Sequence, residues 1–84
     1  MSLPRVTLDP ETAYAYIYLT EPTPGIARTS VTLEELAESE EVDALHALVL
    51  DFDADGRLVG IEVATRAETV LRPDVLASAE EPGS

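Results

Sequence analysis

Asp51, Asp53, Asp55, Gly56 and Glu62 carry the spacing of a calcium-binding loop, with acids at loop positions 1, 3, 5 and 12, glycine at 6 and the apolar Leu58 at 8. Calcium needs about six to eight oxygens converging on one point, and such a loop delivers them when helices flank it. Here the flanks, Leu45 to Asp53 and Arg57 to Ala64, are rich in Leu, Val and Ile and read as strands. With Ala54-Asp55-Gly56 as a three-residue hairpin loop, Asp53 faces Arg57, Asp51 faces Val59 and Leu48 faces Glu62. Side chains alternate along a strand, so Glu62 points away from the face holding Asp51 and Asp53, and the twelfth ligand is lost. A weak divalent-cation site built from Asp51, Asp53 and Asp55 is therefore only the alternative function. The ordinary explanation is a solvated turn in which Asp53 caps backbone amides and Gly56 takes a left-handed conformation.

No other constellation carries chemistry. There is no cysteine and His46 is the lone histidine, so neither a zinc site nor a nucleophile beside a base can be assembled from the usual ligands. No glycine-rich phosphate loop appears. The sequence thus assigns no catalytic residue, no cofactor and no enzyme activity. Tyr14, Tyr16 and Tyr18 alternate onto one face of a strand and are the candidate interaction residues, with cross-strand packing as the plainer role. Glu62 shares its expected face with Leu48, Leu50, Phe52 and Leu58, where a carboxylate needs a partner such as Arg28 or Arg66.

Seventeen Asp and Glu against five Arg, with no Lys, give a net charge of -12 over 84 residues. Binding nucleic-acid phosphates requires clustered cations, which this chain lacks; nucleic acids and anionic membranes are excluded as direct partners. The same field steers a small basic protein toward the surface. No apolar stretch reaches the ~18 residues of a membrane span and the N-terminus lacks a signal-peptide pattern, so a cytoplasmic location is expected.

The elements that must position these residues are short. Arg5 to Leu8 reads as a strand ended by Asp9-Pro10-Glu11-Thr12, and Ala13 to Leu19 as a second. Glu21 to Gly25 is a loop and Ala27 to Leu33 a third, half-buried strand. Thr32 and Glu35 match a capping box that would open a short acidic helix near residues 33–40, with an acidic loop as the other option. The hairpin supplies two more strands, Pro73 starts a short C-terminal helix, and Ala79 to Ser84 is expected to fray, as are residues 1–4. The fold class is α+β, mostly β: one domain over 1–84 with an antiparallel sheet of about five short strands. Gly60 is assigned with Asp53 and Gly56 to turn-making. In the expected register both hairpin faces are apolar, Val49, Val59, Ile61 and Val63 on one and Leu48, Leu50, Phe52 and Leu58 on the other. One short helix covers a single face, and a homodimer would cover the second.

Two segments resemble the domain-of-unknown-function 2283 family of small prokaryotic proteins. One is Asp9 to Leu19, DPETAYAYIYL, similar to the family's Asp-Pro-Glu opening and Tyr-Ile-x-Leu strand at Tyr16, Ile17 and Leu19. The other is Leu50 to Val63, LDFDADGRLVGIEV, similar to its aspartate-rich turn and closing Gly-Ile-Glu at Gly60, Ile61 and Glu62. The chain departs from the pattern at Ala13 and Ala15, where the family usually has an acid and a larger apolar residue. The resemblance implies the same hairpin and no catalytic residues. Some members resemble antitoxins, acidic and encoded beside small basic RNase-like proteins. The expected function is a non-catalytic protein-binding or regulatory module, antitoxin-like in its boldest form.

Overall fold

The computed structural model describes residues 3–21 and 29–80. Five strands, β1 (Arg5–Leu8), β2 (Ala15–Tyr18), β3 (Thr29–Thr32), β4 (Leu48–Phe52) and β5 (Leu58–Val63), form one antiparallel sheet in the order β1-β2-β5-β4-β3. Two helices accompany them, α1 (Glu34–Ser39) and α2 (Pro73–Leu76), with 3₁₀ turns at Asp43–His46 and Ala67–Thr69. The α+β, mostly β architecture expected from the sequence is the one observed. Leu45 and His46 belong to a 3₁₀ turn and not to β4, and residues 27 and 28 of the expected third strand lie outside the described residues.

The hairpin forms as its turn residues dictate. Asp53 N–H donates to Arg57 O at 2.9 Å, Gly56 N–H to Asp53 O at 3.0 Å, and Gly56 sits at φ 79°, where a Cβ would be strained. The register beyond the turn departs from the simple expectation. A β-bulge between Asp51 and Phe52 pairs Phe52 with Leu58 but Asp51 with Gly60, so Val49 faces Glu62 and Leu48 faces Val63. One slipped residue inverts a strand's two faces. Glu62 therefore lies with Tyr16, Val49 and Asp51, away from the leucines, and is exposed. Neither suggested partner is assigned to it: Arg66 pairs with Glu68 at 2.7 Å, and Arg28 is outside the described residues.

The slip also removes the premise of two apolar faces. Val6, Leu8, Ala15, Ile17, Val31, Leu48, Leu50, Ile61 and Val63 share one face; Arg5, Thr7, Tyr16, Tyr18, Ser30, Thr32, Asp51 and Glu62 share the other. The hydrophobic cluster centres on Ala15, Val63 and Ala67 and draws in Val6, Leu8, Leu48, Val70, Leu71 and Leu76. Pro73 opens α2 at its first turn, where its missing N–H costs no hydrogen bond. α1 forms without the expected capping box: Leu33 is its N-cap and makes no side-chain cap. Glu80, the last described residue, lies beside β1 in a parallel bridge to Thr7, and residues 81–84 of the expected tail lie outside the described residues.

Candidate functional site

The polar face is closed by its own side chains. Tyr16 Oη donates to Asp51 Oδ2 at 2.5 Å and Ser30 Oγ to Asp51 Oδ1 at 2.6 Å, and Asp51 is buried, at 7% exposure. One carboxylate thus ties β2, β3 and β4 together across β5. Gly60 makes this possible. It lies within β5 opposite Asp51 and not in a turn, and a Cβ there would meet the Tyr16 hydroxyl and come within 2.6 Å of its ring carbon Cε1. The Tyr18 ring lies tilted against that of Tyr16, with centroids 4.6 Å apart and planes at 51°, and the Arg5 guanidinium lies 4.9 Å over the Tyr18 ring. Tyr16 and Tyr18 are thereby engaged within the sheet, while Tyr14 precedes β2 and is 45% exposed.

The three aspartates near the hairpin do not converge. Asp51 is committed to Tyr16 and Ser30. Asp53 Oδ1 accepts the backbone N–H groups of Asp55 and Arg57 at 2.9 and 3.0 Å, the turn-capping role. Asp55 is exposed at the loop tip. Contrary to the expected register, the bulge brings Glu62 onto the same face as Asp51, where it is exposed beside Tyr16. No group of three or more His, Asp or Glu side chains among the described residues is placed to hold a metal ion. His46 Nδ1 meets Glu34 Oε2 at 3.1 Å on the surface, linking its 3₁₀ turn to α1.

The apolar face offers more. Its cluster does not extend to Ile17, Leu50 and Ile61, which are half-buried, or to Val31, which is 43% exposed. Among the described residues Val63 is the one large side chain that is fully buried, and most of their other apolar side chains are half-buried or exposed. At the β3 end of this face a groove runs between the strand and α1, lined by Val31, Leu33 and Leu36 together with Glu34 and Glu35. Leu36 is 47% exposed, and both glutamates are exposed. Sequence reasoning missed this site because in the expected register Val31 had no assigned neighbours. The out-of-phase apolar patterns of β4 and β5 were the available sign that one residue had to be skipped.

A family model described as "Protein of unknown function (DUF2283)" matches residues 5–64. The chain belongs to the domain-of-unknown-function 2283 family. The match spans all five strands and stops before the 3₁₀ turn at Ala67–Thr69 and α2. The two segments that carry the resemblance are joined in the sheet, for Tyr16 of the first lies over Gly60 of the second and bonds Asp51. No curated protein and no solved structure matches the chain. No helix among the described residues is long and apolar enough to cross a membrane.

Proposed function

We propose that this domain-of-unknown-function 2283 protein is a non-catalytic binding module that takes a small basic protein against the half of its apolar sheet face that is left only partly buried among the described residues. The observation that carries this is the half-covered apolar face. The C-terminal turns pack over Ala15, Val63 and Leu48, while Ile17, Leu50 and Ile61 are only half-buried and Val31 is exposed and lines an acidic groove. Accessible apolar surface beside polar residues marks an interaction site. A net charge of -12 selects the sign of the partner's charge. In its most specific form the module is antitoxin-like, neutralising a basic protein encoded beside it.

The test is co-expression with the product of an adjacent small basic reading frame. A complex that co-purifies at low salt and separates at high salt, and that Leu50→Ser weakens, supports the reading. Recovery of both proteins separately at low salt, each folded, overturns it.

A further inference from the structure

We propose that the outer edge of β3 is a strand-addition site, at which an extended segment of the basic partner pairs with the backbone of Ser30 and Thr32. This rests on the protein-binding function proposed above and specifies how the partner is held. The direction of each backbone group follows from ladder alternation. Ala64 N–H donates to Ala47 O, so residues 47, 49 and 51 turn their backbone groups toward β5, and 48, 50 and 52 turn theirs toward β3. Val31 and Thr29, opposite Leu50 and Phe52, complete those pairs. The N–H and C=O of Ser30 and Thr32 therefore point outward from the sheet. The same rule is satisfied at the other edge, where Val6 and Leu8 point outward and are taken up: Leu8 N–H donates to Glu80 O at 2.7 Å and Glu80 N–H to Val6 O at 2.8 Å.

The two edges of the sheet thus differ. β1 is closed by Glu80, whose side chain also lies 3.8 Å from the Arg5 guanidinium. At β3 no described residue pairs with the outward groups, and all four strand residues are exposed. An open edge normally carries a protecting charge, proline or bulge, and Thr29-Ser30-Val31-Thr32 has none of these. Beside it lies the groove of Val31, Leu33 and Leu36, where an added strand would set its apolar side chains. Charge selects the occupant. Glu34 and Glu35 line the groove on a chain of net charge -12, so a second copy would bring like charges together, whereas Arg or Lys alternating with apolar residues matches both features.

The experiment uses the whole chain and a synthetic peptide of about eight residues alternating Val and Lys, with its Val and Glu counterpart, at low salt. Amide exchange and nitrogen-15 shifts give the site. On adding the Val–Lys peptide the Ser30 and Thr32 amides should slow about tenfold or more. Thr32→Pro, which removes one outward N–H, should weaken binding about tenfold, while Thr32→Val, which keeps it, binds as the wild type. Peptide binding that leaves the Thr32 amide unchanged and survives Thr32→Pro overturns strand addition and leaves the protein-binding function standing. Strand addition also falls, with that function intact, if the peptide fails to bind while the neighbour-encoded basic protein is held. Failure of both overturns the two together. Equal binding of the Val–Glu peptide overturns the basic occupant, and concentration-dependent protection of Thr32 in the protein alone identifies a second copy in its place.

Discussion

A buried carboxylate with one oxygen on a tyrosine and the other on a serine is a costly group to leave unpaired, because a charge in a low-dielectric site depends on its hydrogen bonds. Hydrogen bonds to charged groups contribute about 1.5–3 kcal/mol each, so Tyr16→Phe is expected to destabilise the fold by roughly 2 kcal/mol in urea unfolding, with an unchanged slope. Gly60→Ala acts on the same contact from beneath. Its Cβ would displace the Tyr16 ring and break the Asp51 bond, at a cost of about 2–3 kcal/mol. Both substitutions remove one interaction, so Tyr16→Phe combined with Gly60→Ala should cost clearly less than the sum of the two. Strict additivity in the double-mutant cycle would mean that Gly60 serves something other than the seat of Tyr16.

At the scale of elements, the two turns rest on left-handed residues of opposite suitability. Gly56 at φ 79° occupies open space, so Gly56→Ala meets no clash and loses only the conformational term, about 1 kcal/mol, with Gly56→Asn losing less. Ala13 at φ 64° carries that strain already, closing the β1–β2 turn by donating to Asp9 O and accepting from Ala67 N–H. Ala13→Asn should therefore raise the unfolding midpoint while Gly56→Ala lowers it, and a fall with both would show that the Ala13 methyl packs usefully. Such turns are legible in sequence because their chemistry is local: Asp-Ala-Asp-Gly announces its hairpin and Pro73 its helix. The register was not legible from the turn alone. Counting outward from Asp53 and Arg57 places Glu62 among leucines and leaves apolar residues on both faces, a conflict resolved only by the bulge, which collects Leu48, Leu50, Ile61 and Val63 on one side. The Tyr16–Asp51–Ser30 network joins residues far apart in the chain and becomes visible only once that slip is known. Thr32 and Glu35 carried a valid capping signature that lost to the strand, since β3 runs through Thr32 and leaves Leu33 as the N-cap.

For the whole molecule, charge acts on folding and on binding with opposite signs. A net charge of -12 on a chain of 84 residues, whose described core centres on Ala15, Val63 and Ala67, makes self-repulsion a sizeable opposing term in folding. Salt screens it, since at about 0.5 M the screening length falls to several ångströms, below the spacing of most surface charges. Raising sodium chloride from about 0.02 M to 0.5 M should therefore raise the thermal midpoint of the free protein, by roughly 5 °C for each 1 kcal/mol of repulsion removed. Over the same range the complex with a basic partner should weaken, because the attraction that steers and holds it is screened equally. Calorimetric scans of the free protein and titrations of the complex at matched salt separate the two. Should the free protein lose stability with salt while the complex tightens, charge would play no part in holding the partner, and the apolar half-face alone would have to account for the interaction.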